Sequence, residues 1–126
     1  MNIRKKGGTL IIDSLIGYSL AGAPLGIYAE LIDWANATGA RLLALDIPSG
    51  LDSTTGIADG PVICADVTMT LALPKAGLAS GKAGNLLLAD IGIPVETYRR
   101  LNLSYLSPFA SRYVAPPTSR TEPRDD

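Results

Sequence analysis

The sequence contains no histidine and a single cysteine, Cys64. Without histidine, Ser-His-Asp and Cys-His mechanisms are excluded within one chain, and acid/base work falls to Asp, Glu, Lys or Tyr. One cysteine allows neither an intrachain disulfide framework nor a zinc site of the His/Cys type. Charge is sparse as well. Asp, Glu, Lys and Arg make up 18% of the residues, below the usual share, which hints at surface covered by a partner or by further sequence. Lys+Arg 11 against Asp+Glu 12 leaves a net charge of -1, so nothing in the balance calls for nucleic acid or an anionic membrane as partner. The run Arg4-Lys5-Lys6 is too short to alter that. No apolar stretch approaches the roughly 20 residues that cross a bilayer. Gly7-Gly8 stand where a signal peptide would place its apolar core. The expected location is the cytoplasm.

What is present suits one globular domain: 126 residues, 47% of them hydrophobic. The first six residues are polar. Thr9-Leu10-Ile11-Ile12 reads as a short buried strand closing on Asp13, and Leu42-Leu43-Ala44-Leu45 as another closing on Asp46. Between them, Gly17-Tyr18-Ser19-Leu20-Ala21-Gly22-Ala23-Pro24 is a loop of small residues. Ile27, Tyr28, Leu31, Ile32, Trp34 and Ala35 then recur at helical spacing. The spacing predicts a helix over 25–37, with Pro24 suited to its first turn and Gly39 to its stop. Strand, helix and strand make a parallel crossover, which brings Asp13 and Asp46 to one edge of the sheet. Residues 66–73 read as a third strand and 86–90 as a short final one. Residues 76–85 read as a loop or weak helical turn and 95–101 as one or two helical turns. From Pro108 the apolar pattern stops, and residues 108–126 are expected to be disordered. Trp34 and Cys64 are expected to be packing residues.

In open α/β sheets the carboxyl ends of the strands border the ligand site. Asp13 and Asp46 are therefore candidates, although each could equally cap the turn that follows it. With Ser49 nearby, they make an oxygen-rich set suited to a hard cation such as sodium, potassium, magnesium or calcium. Backbone N–H groups of the loop 17–23, ahead of a helix, could form an anion site or simply a connection. Neither a Walker Lys-Ser/Thr pair nor a Gly-x-Gly-x-x-Gly is present. Lys75, after the third strand, could meet a phosphate, pair with a carboxylate or be solvated.

Four segments, Ile12-Asp13-Ser14-Leu15-Ile16-Gly17, Leu45-Asp46-Ile47-Pro48-Ser49-Gly50-Leu51-Asp52, Leu71-Ala72-Leu73-Pro74-Lys75-Ala76-Gly77-Leu78 and Leu88-Ala89-Asp90-Ile91-Gly92-Ile93-Pro94, together resemble the YjeF N-terminal-domain family, the NAD(P)H-hydrate epimerases, in the same order. The resemblance runs over residues 9 to 103. It implies a Rossmann-like three-layer αβα fold with a mostly parallel sheet, and an activity that interconverts the R and S epimers of hydrated NADH and NADPH. It implies a potassium ion held by Asp13 and Ser49. It further implies dinucleotide contacts from Gly17, Tyr18, Ser19, Leu20, Ala21, Gly22 and Ala23, and a substrate contact from Asp46, which is also the candidate catalytic residue. Members of the family begin with a further amino-terminal half, including a Gly-Asn-Asn-Gly-Gly-Asp-Gly type loop that adds an asparagine to the potassium site. This chain resembles the second half only, so residues 1–107 are expected to be a partial domain with its N-terminal half missing. The expectation is an epimerase if complemented by that half, with hydrated NADH or NADPH as substrate and a complementing half or a homodimer as partner. The alternative is a non-catalytic interaction or ligand-binding module of the same fold.

Overall fold

The computed structural model describes residues 9–17 and 19–117. Five strands form one sheet in sequence order: β1 (Leu10–Asp13), β2 (Arg41–Leu45), β3 (Val67–Leu71), β4 (Asn85–Ala89) and β5 (Val114–Ala115). The first four run parallel, and β5 is antiparallel to β4. The helix α1 (Ile27–Ala37) joins β1 to β2, a 3-10 turn over Ala76–Ser80 lies between β3 and β4, and α2 (Val95–Arg100) follows β4. The α/β class and the mostly parallel sheet are those read from the sequence.

Register decides which side chains share a face. Ile11 pairs with Leu42, Asp13 with Ala44, Ala44 with Thr68, Thr68 with Leu86 and Thr70 with Leu88. Because side chains alternate, all of these project from the same side of the sheet. That side is covered. Ile32 and Ala35 of α1 pack with Leu42 and Ile63; Ile47, Leu51, Leu78 and Ala83 form a second cluster; and Leu88 meets Phe109 and Ala115. The opposite side is much barer. Leu10, Ile12 and Leu45 are 56%, 60% and 39% exposed, and Leu43, Val67, Met69, Leu71 and Leu87 are only partly buried. Parallel sheets are ordinarily covered on both faces.

Several sequence expectations change. The helix starts at Ile27, because Gly26 takes φ 58 at its N-cap; Pro24 is buried two residues earlier. Trp34 is no packing residue: it is 60% exposed. Ile32 and Ala35 form the stripe that reaches the sheet, while Ile27, Leu31 and Trp34 make a neighbouring stripe that faces outward. Cys64 is exposed too. What that position contributes is backbone: the Cys64 N–H donates to Asn36 Oδ1 at 2.9 Å, and Asn36 Nδ2 donates to Val62 O at 2.9 Å, tying α1 to the segment before β3.

The chain beyond Pro108, expected to be disordered, contributes β5 and two buried side chains, Phe109 and Ala115. The Asp90 N–H donates to Tyr113 O at 2.8 Å. The physical reason is the edge of β4, whose polar groups and Leu88 side chain are covered by this short return. Residues 118–126 of that expected tail, and the first eight residues, lie outside the described residues. Among the described residues no helix is long and apolar enough to cross a membrane.

Candidate functional site

Asp13 is the last residue of β1 and is 2% exposed, while Ser49 is fully buried. The strand brings the carboxylate to the sheet edge, and the Ile47-Pro48 turn after β2 brings the serine to meet it. The Ser49 N–H donates to Asp13 Oδ2 at 2.8 Å, and the Ser49 hydroxyl donates to Asp13 Oδ1 at 2.6 Å. The Leu15 N–H reaches Oδ1 at 3.3 Å. In turn, Ser49 Oγ accepts the Ile16 N–H at 2.9 Å and lies 3.4 Å from Ile16 O. The pair expected to hold a cation therefore does come together, 36 residues apart in sequence. Its donor set is all oxygen: the Asp13 carboxylate, the Ser49 hydroxyl and the Ile16 carbonyl. That chemistry fits a hard cation. Among the described residues no group of three or more His, Cys, Asp and Glu gathers as a metal cage.

Asp46 lies just beyond β2 on the same edge, and the way the strand stops determines its geometry. The Asp46 N–H still donates to Met69 O at 2.8 Å, continuing the ladder, and the Ile47 N–H then turns back onto Leu45 O at 2.9 Å. This three-residue turn holds Asp46 at φ 69. Such γ-turns are rare and strained, and aspartate is one of the few side chains found at positive φ with any frequency. The neighbouring strand does the same. The Ala72 N–H donates to Ala89 O at 3.1 Å, the Leu73 N–H to Leu71 O at 2.7 Å, and Ala72 sits at φ 62.

The second turn folds Lys75 back over the edge. Its ammonium donates to Asp46 Oδ1, to Leu71 O at 3.0 Å and to Thr70 Oγ1 at 3.4 Å. The Leu71 N–H adds a 3.2 Å bond to the same Oδ1. The side chains of Lys75 and Asp46 remain 25% and 20% exposed, so the pair borders solvent. Of the alternatives open for Lys75, the structure selects pairing with a carboxylate. Thr70, fully buried, was not among the residues singled out in the sequence. A polar residue inside Val67-Thr68-Met69-Thr70-Leu71 was the signal available, but Thr68 gives the same signal and merely donates to Ala83 O at 2.7 Å.

The loop from Gly17 leaves the Asp13–Ser49 pair through Ile16. Gly17, Ser19, Ala21 and Gly22 are exposed, Leu20 and Ala23 are partly buried, and Gly22 has φ 79. Tyr18, expected with them as a dinucleotide contact, lies outside the described residues. The loop's end rests on Gly60, where an added Cβ would come 2.8 Å from Ala23 Cβ. It leads into α1, whose amino end has no side-chain cap. Among the described residues no hydrogen bond joins the loop to Asp46 or Lys75, so the structure brings together two side-chain pairs and a loop on one edge without fusing them.

Turning to known proteins, residues 2–77 match the family model described as YjeF-related protein N-terminus. An NAD(P)H-hydrate epimerase from Dehalogenimonas lykanthroporepellens is 46% identical over 106 residues, covering 83% of this chain and 43% of its own length. The Escherichia coli bifunctional NAD(P)H-hydrate repair enzyme Nnr is 49% identical over 88 residues, 67% of this chain and 17% of that enzyme. The crystal structure of the yeast protein ynu0 superposes with a TM-score of 0.71 at 15% identity, over 85% of this chain and 46% of the yeast chain. The yeast likeness is one of fold. The chain spans less than half the length of each of these relatives.

Proposed function

This chain belongs to the family of YjeF-related protein N-termini, and on that premise we propose that its site binds hydrated NADH or NADPH and serves the interconversion of their R and S epimers. The observation that carries this reading is the placement of Asp13 and Asp46 on one sheet edge, paired with Ser49 and Lys75 and bordered by the exposed loop that leads into α1. The substrate carbon bears a hydroxyl next to a ring nitrogen. Loss of that hydroxyl as water leaves a ring cation, and return of water on the other face gives the second epimer. A carboxylate beside the ring lowers the energy of the charge that develops. Asp46 is that carboxylate. The backbone N–H groups of the loop and of the amino end of α1 would receive the dinucleotide phosphates.

Potassium belongs to the same proposal. Asp13 and Ser49 would hold it, the hydroxyl proton turning from Asp13 to Ile16 O so that the serine oxygen and the carboxylate face the ion together. Bound there, the ion supplies positive charge near the phosphates. A complementing amino-terminal half is the proposed partner. The apolar surfaces left on β1, on the outer stripe of α1 and on the bare face of the sheet support that reading, and a groove of about 160 Å3 lies between Ile12, Leu15, Leu31 and Trp34.

The test is conversion of the R to the S hydrate, followed by chromatography. The chain is assayed alone and with the amino-terminal half of a relative's domain supplied as a separate polypeptide, with and without potassium. Conversion is expected with the added half and is faster with potassium. Asp46→Asn is expected to lower the rate about 100-fold; an unchanged rate would remove Asp46 from the chemistry. No conversion under any of these conditions would favour the non-catalytic module.

A further inference from the structure

We propose that Lys75 is the positioning residue of this site: it occupies Oδ1 of Asp46 and leaves Oδ2 as the one carboxylate oxygen offered to a ligand, so that Asp46 works as a fixed anion beside a cationic ring and not as a proton donor. The nature of the ligand rests on the epimerase reading above, whereas the arrangement of the carboxylate does not.

The contacts of the Asp46 carboxylate are unevenly distributed. Every hydrogen bond to the Asp46 carboxylate falls on Oδ1: the Lys75 ammonium, the Leu71 N–H at 3.2 Å and the Thr70 hydroxyl at 3.5 Å. None of the described residues donates to Oδ2. A carboxylate can accept at both oxygens, and here one of the two is taken up by an ammonium and a backbone N–H. That leaves a single acceptor position, Oδ2, at the solvent border.

Lys75 is committed in the opposite sense. An ammonium has three donors, and here they meet Asp46 Oδ1, Leu71 O at 3.0 Å and Thr70 Oγ1 at 3.4 Å. No donor remains for a phosphate or a departing hydroxyl. The lysine therefore acts through Asp46.

The backbone makes this arrangement possible. In a continuing strand, Lys75 would stand about 13 Å beyond Leu71, at roughly 3.3 Å per residue. The turn at Ala72, φ 62, instead lets the Lys75 ammonium come back to the Leu71 carbonyl. Asp46 is aimed by the matching turn at φ 69. Two adjacent strands thus end in the same strained turn, and their products are an acid and a base locked together. Strain of this kind persists where the surrounding structure over-determines it.

The chemical consequence concerns the epimerisation. The C–O bond breaks with the hydroxyl leaving as water, its added proton coming from solvent. The ring nitrogen's electron pair fills the gap to give the ring cation, and water returns with loss of a proton to solvent. Asp46 neither gives nor keeps a proton in this sequence; its Oδ2 faces the positive ring.

Two measurements on the full chain test the proposal. The first is the amide resonance of Leu71, whose N–H donates to Oδ1, and it needs no activity. Lys75→Met is expected to move it towards its position in Asp46→Asn, while Lys75→Arg leaves it near the wild-type position and the remaining amide resonances show an intact fold. Lys75→Gln serves if the Met variant folds poorly. The second is the epimerase assay with the complementing half. There Lys75→Met is expected to lower kcat about tenfold or more with KM within about threefold, and Lys75→Arg to restore most of it. An unmoved Leu71 amide in Lys75→Met, or an unchanged kcat, overturns the proposal. A Leu71 amide that moves in Lys75→Met, together with a wild-type chain that converts no hydrate, overturns the epimerase reading, and with it the cationic ring as ligand, while the positioning of Asp46 by Lys75 stands.

Discussion

Ala72 has the conformation that least suits its side chain. At φ 62 a β-carbon costs about 1–2 kcal/mol, and unlike Asp46 it has no polar group to offset this by bonding locally. Ala72→Gly removes the clash and returns part of the gain as flexibility of the unfolded chain. The expected net is a stabilisation of about 0.5 kcal/mol or more, seen as a rise of a few degrees in Tm by calorimetry. Gly50 is the converse case. It has φ 95, and an added Cβ would lie 2.1 Å from Pro61 O, a backbone atom that cannot swing aside. Gly50→Ala is expected to cost about 3 kcal/mol or more in denaturant unfolding, since the loop that carries Ser49 must move to admit it. The sequence did not single out Gly50 as a left-handed position. Nor did it announce the strain at Asp46 and Ala72, because nothing local to an aspartate or an alanine marks positive φ when a neighbouring strand imposes it.

At the level of elements, the parallel crossover β1-α1-β2 was legible from periodicity and spacing, and with it the shared edge of Asp13 and Asp46. What α1 buries was not. Its apolar residues fall on two adjoining stripes, and only contact with the sheet distinguishes Ile32 and Ala35 from Ile27, Leu31 and Trp34. The carboxyl-terminal segment shows the same limit: a two-residue strand has no periodicity to read. Just ahead of it, the Tyr98 ring of α2 stacks on Tyr105 at a centroid separation of 4.1 Å. Burial pushes the Tyr98 phenol above its ordinary value of 10.0, with Tyr105 and Asp90 adding to the effect. Because the fold raises this value, the contribution is complete below pH 10.0 and is lost as the pH climbs through the folded value. Calorimetry between about pH 9 and pH 11 should therefore show a steeper fall in Tm for the wild type than for Tyr98→Phe.

Across the whole molecule, the sparse charge noted in the sequence has a structural counterpart. Among the described residues, one face of the sheet, the outer stripe of α1 and the unpaired edge of β1 present apolar groups to solvent. Ile12 and Trp34 are each 60% exposed. A parallel strand at an open edge invites pairing with another chain, and apolar patches of this kind mark interaction surfaces. Replacing Ile12, Leu31 and Trp34 together, as Ile12→Thr, Leu31→Gln and Trp34→Gln, is expected to reduce self-association in light scattering. Stability should change by only about 1 kcal/mol, because none of the three belongs to a buried cluster. The same substitutions should abolish any gain in epimerase activity from an added amino-terminal half; a gain that persists would place that half elsewhere.

By itself the sequence determined the α/β class, the edge on which Asp13, Asp46 and Ser49 meet, and the exclusion of histidine chemistry. Those follow from alternation, strand length and residue identity, which are local or depend only on the parallel crossover. Only the tertiary structure decided that Asp13 closes on Ser49 while Asp46 closes on Lys75, and that one sheet face stays bare. The two pairings depend on where chain segments 29 and 36 residues apart come to rest, and that is set by backbone turns and by packing that no single stretch of sequence contains.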